Sequence, residues 1–453
     1  MNTNPCRIVA SLMAVAFATI VGAQSSDLQG SSNRLPITIR LPRGGGEFVK
    51  PLKLNAAAAA LSPSTAHGAI NISTQYLPPG SIQLGNTLPF WTFNVKGSRD
   101  NDHHLGVIVG TDPFKNPGTS RIPTYIIPLV FTTHSVATSY DPSTGYYTTA
   151  PGVTTIDPTK TDQTCLSKPN NVPVRLIQQS PILNSAPFVF GGTNVGNTQY
   201  VDAYQRASFW NVLRDGGEDY HVLLSPVITL PPVHIDVPAT AGLALTDPNL
   251  FEAAYGFSYC APMLLIDINW FDSYLNGTVT PQLQQQGAIA PKAFPIFLSY
   301  NSAYSIGDVT FIGNCCAIGY HSVTGVPILD QTYGVVDFDT TGWFLGPPPP
   351  IGLGTSVMSH EVAEWMNDPF GTNQTAPWGG TGQVSGCQAN LEVGDPLSGS
   401  DMPTVTMSNG YTYSLQEMAF FSWFYGSPSI GVNGWFSNND TFTTDAGPNC
   451  PTG

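Results

Sequence analysis

Proline and glycine interrupt this chain so often that long regular elements have little room. There are 40 Pro and 45 Gly in 453 residues, and charged residues make up only 10%. That balance points to short strands, many turns and few helices. The strand-like segments bear this out: Phe90 to Val95, His104 to Val109 and Tyr125 to Thr132 are each bounded by Gly, Pro, Asn or Asp. Further strands are expected at Tyr220 to Leu224, Met263 to Ile268, Ala293 to Tyr300, Val309 to Ile312, Cys316 to His321 and Tyr333 to Phe338. Residues 135 to 185 read as a long loop or hairpin insertion. The spacing of Val201, Tyr204, Ala207, Phe209 and Val212 predicts one amphipathic helix over Tyr200 to Leu213, and a last helix is expected over Leu415 to Phe424. The expected class is α+β, a strand-rich sheet domain with one active-site helix and a helical C-terminal part.

The N-terminus carries Arg7, an apolar run from Ile8 to Val21 and the small residues Gly22 and Ala23. This is the pattern of a secretory signal over residues 1–23. Residues 24–68, with Gly44 to Gly46 and the alanines Ala56 to Ala60, read as a linker or pro-segment. An N-terminal strand-rich segment is expected over 69–115 and the main domain over 116–453. No later run reaches the roughly 20 apolar residues of a membrane span. Net charge is −14, or −15 once Arg7 leaves with the signal, which argues against a nucleic-acid or anionic-membrane partner. Cys165, Cys260, Cys315, Cys316, Cys387 and Cys450 remain after the signal. An even number in an exported chain suggests disulfides, with pairing open. Oligomeric state is not legible in the sequence.

The segment Ser359-His360-Glu361-Val362-Ala363-Glu364-Trp365-Met366-Asn367-Asp368-Pro369 predicts a helix from about Thr355 that stops near Pro369. At 100° per residue His360, Glu361 and Glu364 share one side, opposite Met358, Val362, Trp365 and Met366. His360 and Glu364, four residues apart, can bind one ion together. Glu occurs only seven times in the chain, and four of these (361, 364, 392, 417) fall between 361 and 417. By composition an H-E-x-x-E string arises only about two times in a thousand. Downstream, Glu392 and Asp395 supply a second acidic pair, and upstream His321 is a reserve ligand. Zinc in hydrolytic sites takes three protein ligands and an open position, with a carboxylate removing a proton from water. On this reading His360, Glu364 and Glu392 are ligands of Zn²⁺, Glu361 is the general base, and Asp395 and His321 are outer or substitute ligands. Replacing nitrogen by oxygen makes Mn²⁺ or Ca²⁺ more competitive. Three other expectations stand beside it. The stripe is a solvated helix face, or it holds a structural ion or polar core in a non-catalytic binding protein. Alternatively, Glu361 or Glu364 pairs with Glu392 in a metal-free hydrolase. The aromatics Phe420, Phe421, Trp423 and Phe424 read as core.

Taken in order, Gly319-Tyr320-His321, Ser359-His360-Glu361-x-Ala363-Glu364 with Asp368-Pro369, and Glu392-x-Gly394-Asp395 resemble the phosphate-induced, EXORDIUM-like secreted proteins. The helix also resembles that of zincin metallopeptidases, with the last His replaced by Glu364. Both resemblances are local, covering about 80 residues. The first implies an extracellular protein without an established reaction. The second implies peptide hydrolysis, and so a secreted hydrolase whose substrate is a peptide or cell-wall polymer.

Overall fold

The computed structural model describes residues 35–38 and 88–450, apart from 116, 163–164, 166–170, 256–259, 325–330, 341–352, 400–402 and 447–449. The expected secretory signal and most of the expected linker or pro-segment lie outside the described residues. Strand β1 (Leu35–Thr38) belongs to that linker stretch. It is followed by the hairpin β2 (Phe90–Lys96) and β3 (His103–Val109). The 23-residue β4 (Thr119–Asp141) turns back into β5 (Tyr146–Ile156), making the expected hairpin. Then come β6 (Ala186–Phe190), β7 (Thr193–Thr198), helix α1 (Tyr200–Ser208), β8 (His221–Thr229), β9 (Val233–Val237), β10 (Gly242–Leu245) and β11 (Met263–Asp267). After a helical stretch from Ile268 to Gln285 follow β12 (Phe294–Tyr300), β13 (Ser302–Ser305), β14 (Ala317–Val323) and β15 (Thr332–Phe338).

Seven of these strands close on themselves. The ladder runs β14-β13-β11-β10-β4-β12-β15, and β15 pairs back onto β14, giving a barrel-like mixed sheet; β5, β8 and β9 extend it along β4, and β1 along β14. Every residue of β12, β14 and β15 is buried. Such strands read as unbroken apolar or small runs rather than alternating ones, because both faces are covered. Among the described residues no helix is long and apolar enough to cross a membrane.

Helix α2 (Ser356–Asn367) lies against β14 and β15 and is met from other sides by β3 and α1. It ends where Pro369 forbids continuation, as expected. The hairpin β17 (Gln374–Thr381) and β18 (Val384–Asn390) follows β16 (Leu353–Gly354) and α2; the short strands β19 (Thr404–Thr406) and β20 (Thr412–Ser414) come next, then α3 (Phe421–Tyr425). The sulphurs of Cys165 and Cys260, and of Cys387 and Cys450, stand at disulfide distance, and those of the adjacent Cys315 and Cys316 face each other.

Three expectations fail. The C-terminal part is not helical: of Leu415 to Phe424 only Phe421 onward is helix. Upstream, the backbone amides are committed to distant partners, Gln416 to Ser359 Oγ, Met418 to Asn438 Oδ1, Ala419 to the Val393 carbonyl and Phe420 to the Phe436 carbonyl. No i−4 ladder is left for them. The expected Tyr200 to Leu213 helix breaks at Phe209, whose ring packs into a nest with Trp91, Phe114 and Phe421. Val309 to Ile312 is no strand but leads into a 3₁₀ turn at Ile312–Asn314.

Candidate metal centre

Every residue of α2 is buried, with His360 and Glu361 at 0% exposure and Glu364 at 1%. The solvated-face expectation therefore fails. Strand β14 meets the stripe at His321, and β3, α1, the 394–395 loop and Gln416 roof the rest of it.

The helical repeat sets His360 Nε2 3.0 Å from Glu364 Oε1. Asp395 Oδ1 lies 3.5 Å from the same nitrogen. The tautomer follows from the far side of the ring. Gln416 donates its amide to the Gly394 carbonyl at 2.6 Å, so its Oε1, 2.8 Å from His360 Nδ1, must accept. Nδ1 then holds a proton, and Nε2 faces the carboxylates without a hydrogen-bond partner of proper geometry. His321, on β14, repeats the arrangement. Its Nε2 donates to the Asp368 carbonyl at 3.1 Å, leaving Nδ1 facing Glu361 Oε2 at 3.4 Å and Glu364 Oε2 at 3.8 Å. A ring N–H spent on a carbonyl, with the other nitrogen turned to carboxylates, is the way metal-ligating imidazoles are oriented.

Two groups of potential ligands result, His360–Glu364–Asp395 and His321–Glu361–Glu364, each with its atoms within 4.8 Å of one another. A tetrahedral ion with bonds of about 2.0–2.2 Å holds its ligand atoms roughly 3.3–3.6 Å apart. The nitrogen-to-oxygen separations of 3.0 to 3.8 Å straddle that range.

Asp395 occupies the place beside His360 and Glu364 that the sequence reading assigned to Glu392. The loop at 394–395 folds onto the helix, its two amides donating to Glu364 Oε1 at 3.0 and 3.1 Å. Glu392 stands in neither group; its Oε1 accepts from Asn390 Nδ2 at 2.7 Å and its Oε2 has no partner. Asp395 is held in turn by the side-chain amides of Gln383 and Gln388. Glu417, the fourth residue of the Glu-rich region, is not part of the centre. Its oxygens are saturated by Ser437, Asn439 and Thr441, making it the organiser of a turn.

Among the described residues the ion-pair partners of Glu361, Glu364 and Asp395 are histidines alone. Charge is thus poorly balanced. Burial pushes Glu361 and Glu392 well above the usual carboxylate range, with the charge of Glu364 adding to both. Burial raises Asp395 to about 6 and Asp368 to about 7, again with Glu364 adding. Glu364 moves the other way: burial would raise it, but His360 first, then His321 and the Asp395 amide, hold it below its ordinary value. Burial lowers His321 to about 4 and opposes protonation of His360 too, yet there Glu364 and Asp395 prevail and the pKa rises. Without an ion, then, a proton on His360 stands where a cation fits.

Gln416, Gln383 and Gln388 escaped the sequence reading because nothing local marks a glutamine as an orienting group. The glycines of the two flanking motifs were a legible signal. A Cβ on Gly394 would come 2.5 Å from the His360 ring, and one on Gly319 2.9 Å from Glu361 Oε1. Both are positions where the backbone must pass close to a site side chain. The four aromatics Phe420, Phe421, Trp423 and Phe424 are buried in the core, as expected. Compared with protein-family models, curated proteins and solved structures, the chain matches none.

Proposed function

We propose that this protein is an exported, metal-dependent hydrolase of zincin type, in which His360, Glu364 and Asp395 hold a divalent ion, Zn²⁺ by preference, and the substrate is a peptide or cell-wall polymer. The observation that carries the reading is His360 Nε2, buried and without a hydrogen-bond partner although two carboxylate oxygens stand 3.0 and 3.5 Å away. A bound divalent ion supplies Lewis-acid polarisation of a carbonyl and a lowered pKa for water. The chain does the rest. Gln416 fixes the His360 ring, the amides of Gly394 and Asp395 fix Glu364, and Gln383 and Gln388 fix Asp395. Glu361 sits one residue from His360 with Oε1 unpartnered, free to accept a proton from water. Its upward-shifted pKa falls toward the useful range once a cation offsets Glu364 and Asp395.

One observation favours a second reading, a structural ion in a non-catalytic extracellular protein. The ligand groups are all buried, Asp395 the most accessible at 6%, so substrate reaches them only if the roof over α2 opens. Two measurements separate the readings. Elemental analysis of the purified protein is expected to find a transition ion that His360→Ala releases. Glu361→Gln is expected to lower hydrolysis of a peptide or wall-polymer library by about 10²–10⁴-fold, the usual contribution of a general base. Metal present with no hydrolysis in either protein leaves the structural ion; no metal at all removes both.

A further inference from the structure

The two carboxylate oxygens of Glu364 face different partners. Oε1 lies 3.0 Å from His360 Nε2, on the Asp395 side, while Oε2 lies 3.8 Å from His321 Nδ1, on the Glu361 side. We infer that Glu364 bridges two divalent ions, and that His321 Nδ1, Glu361 Oε2 and Glu364 Oε2 form a second metal site beside the one held by His360, Glu364 and Asp395. The inference rests on the reading of the His360 site above and deepens it from one ion to two.

Three features of the His321 side support it independently. First, the ring is committed: Nε2 donates to the Asp368 carbonyl at 3.1 Å, so the nitrogen turned toward Glu361 and Glu364 presents a lone pair, and two acceptors in line of each other repel unless a cation or proton lies between. Second, Glu361 is fully buried and its Oε1 has no hydrogen-bond partner, a cost that a saturated carboxylate such as Glu417 does not bear. Third, Gly319, two residues before His321, lacks the Cβ that would come 2.9 Å from that oxygen, so β14 and α2 approach closely at this point. A carboxylate with one oxygen toward each ion is suited to the spacing of about 3.5–4 Å found in two-metal hydrolytic sites. Each site has one nitrogen and two carboxylates from the protein. That set suits Zn²⁺ or Mn²⁺ and falls short of the six to eight oxygens that Ca²⁺ takes. Glu361 serves the second ion through Oε2, and Oε1 remains the proton acceptor.

The test counts ions in the full-length chain. Protein stripped with chelator, loaded in parallel with Zn²⁺ and with Mn²⁺ and freed of excess, is measured by elemental analysis, and the Mn²⁺ form by electron paramagnetic resonance. Two equivalents and a spin-coupled pair are expected, with one equivalent and an isolated-ion spectrum in both His321→Ala and His360→Ala. Should His321→Ala fail to fold by circular dichroism, Glu361→Gln, nearly the same shape, replaces it, and the wild-type count and coupling decide in any case. One equivalent in wild type, unchanged in the His321 or Glu361 variant, overturns the second site and leaves the first standing. A second equivalent that shows no coupling overturns the bridge. No bound ion overturns both sites together.

Discussion

At the scale of single residues, the question for each buried carboxylate is how many donors it meets. Glu417 has donors on both oxygens and does structural work; Glu361 and Glu392 each leave one oxygen bare. Asp337, away from the candidate metal centre, provides a control. Its Oδ1 accepts from Ser299 Oγ and the Ser302 amide, both at 2.9 Å, but Oδ2 has no partner, and burial, with Asp339 adding, pushes its pKa well above the ordinary value. A carboxyl whose folded pKa is raised contributes stability that is complete below its unfolded pKa, near 3.8, and is lost as pH rises through the folded one. Asp337→Asn removes that loss. Thermal melts are expected to show the variant more stable than wild type at pH 7 and the gap closing as pH falls below about 4. A constant gap across that range would mean the residue is not titrating in the fold.

At the scale of elements, one large side chain of α2 anchors it to two strands of the barrel. Trp365 stacks on Phe294 of β12, with ring centroids 3.6 Å apart, and its indole Nε1 donates to Thr332 Oγ1 of β15 at 3.0 Å. Trp365→Ala should cost about 3–5 kcal/mol, the range for deleting a buried large aromatic. Trp365→Phe, which keeps the stacking and loses the hydrogen bond, should cost less than Trp365→Ala. Urea titration of both variants measures the difference, and near-equal losses would show that packing is not what the indole provides. The same helix explains a successful and a failed expectation. Pro369 dictates the stop whatever surrounds it, because the constraint lies in the backbone itself. Exposure of its polar stripe does not follow from the local pattern, since β3 and α1 arrive from distant parts of the chain.

At the scale of the whole molecule, the candidate metal centre joins pieces far apart in sequence. His321 comes from the closed sheet, His360, Glu361 and Glu364 from α2, Asp395 from the 3₁₀ turn after β18, and Gln416 from the extended run before α3. An ion bound there ties the barrel to the C-terminal region. Chelation is therefore expected to lower Tm and readdition of Zn²⁺ or Mn²⁺ to restore it, a ligand at a hundred times its Kd adding about 2.7 kcal/mol. Differential scanning calorimetry with and without chelator checks this. An unchanged Tm in protein shown to have carried metal would place the ion outside the folded core.

The amino-acid sequence by itself determined those features whose cause is local. Proline and glycine density imposed short elements, the 3.6-residue repeat put His360, Glu361 and Glu364 on one stripe, and the scarcity of Glu drew notice to that stripe and to Glu392 and Asp395. Tertiary structure alone decided which of the last two residues meets His360. They are three positions apart, and only the fold of the 394–395 amides onto Glu364 brings Asp395 forward. It also decided that Leu415 to Phe420 is extended, since distant acceptors outcompete a helix of that length, and that the polar stripe is buried. Burial is what makes the cluster chemically demanding. The same carboxylates on a solvated face would be hydrated, whereas enclosed with two histidines and no Lys or Arg ion pair among the described residues, they must take up protons or a cation.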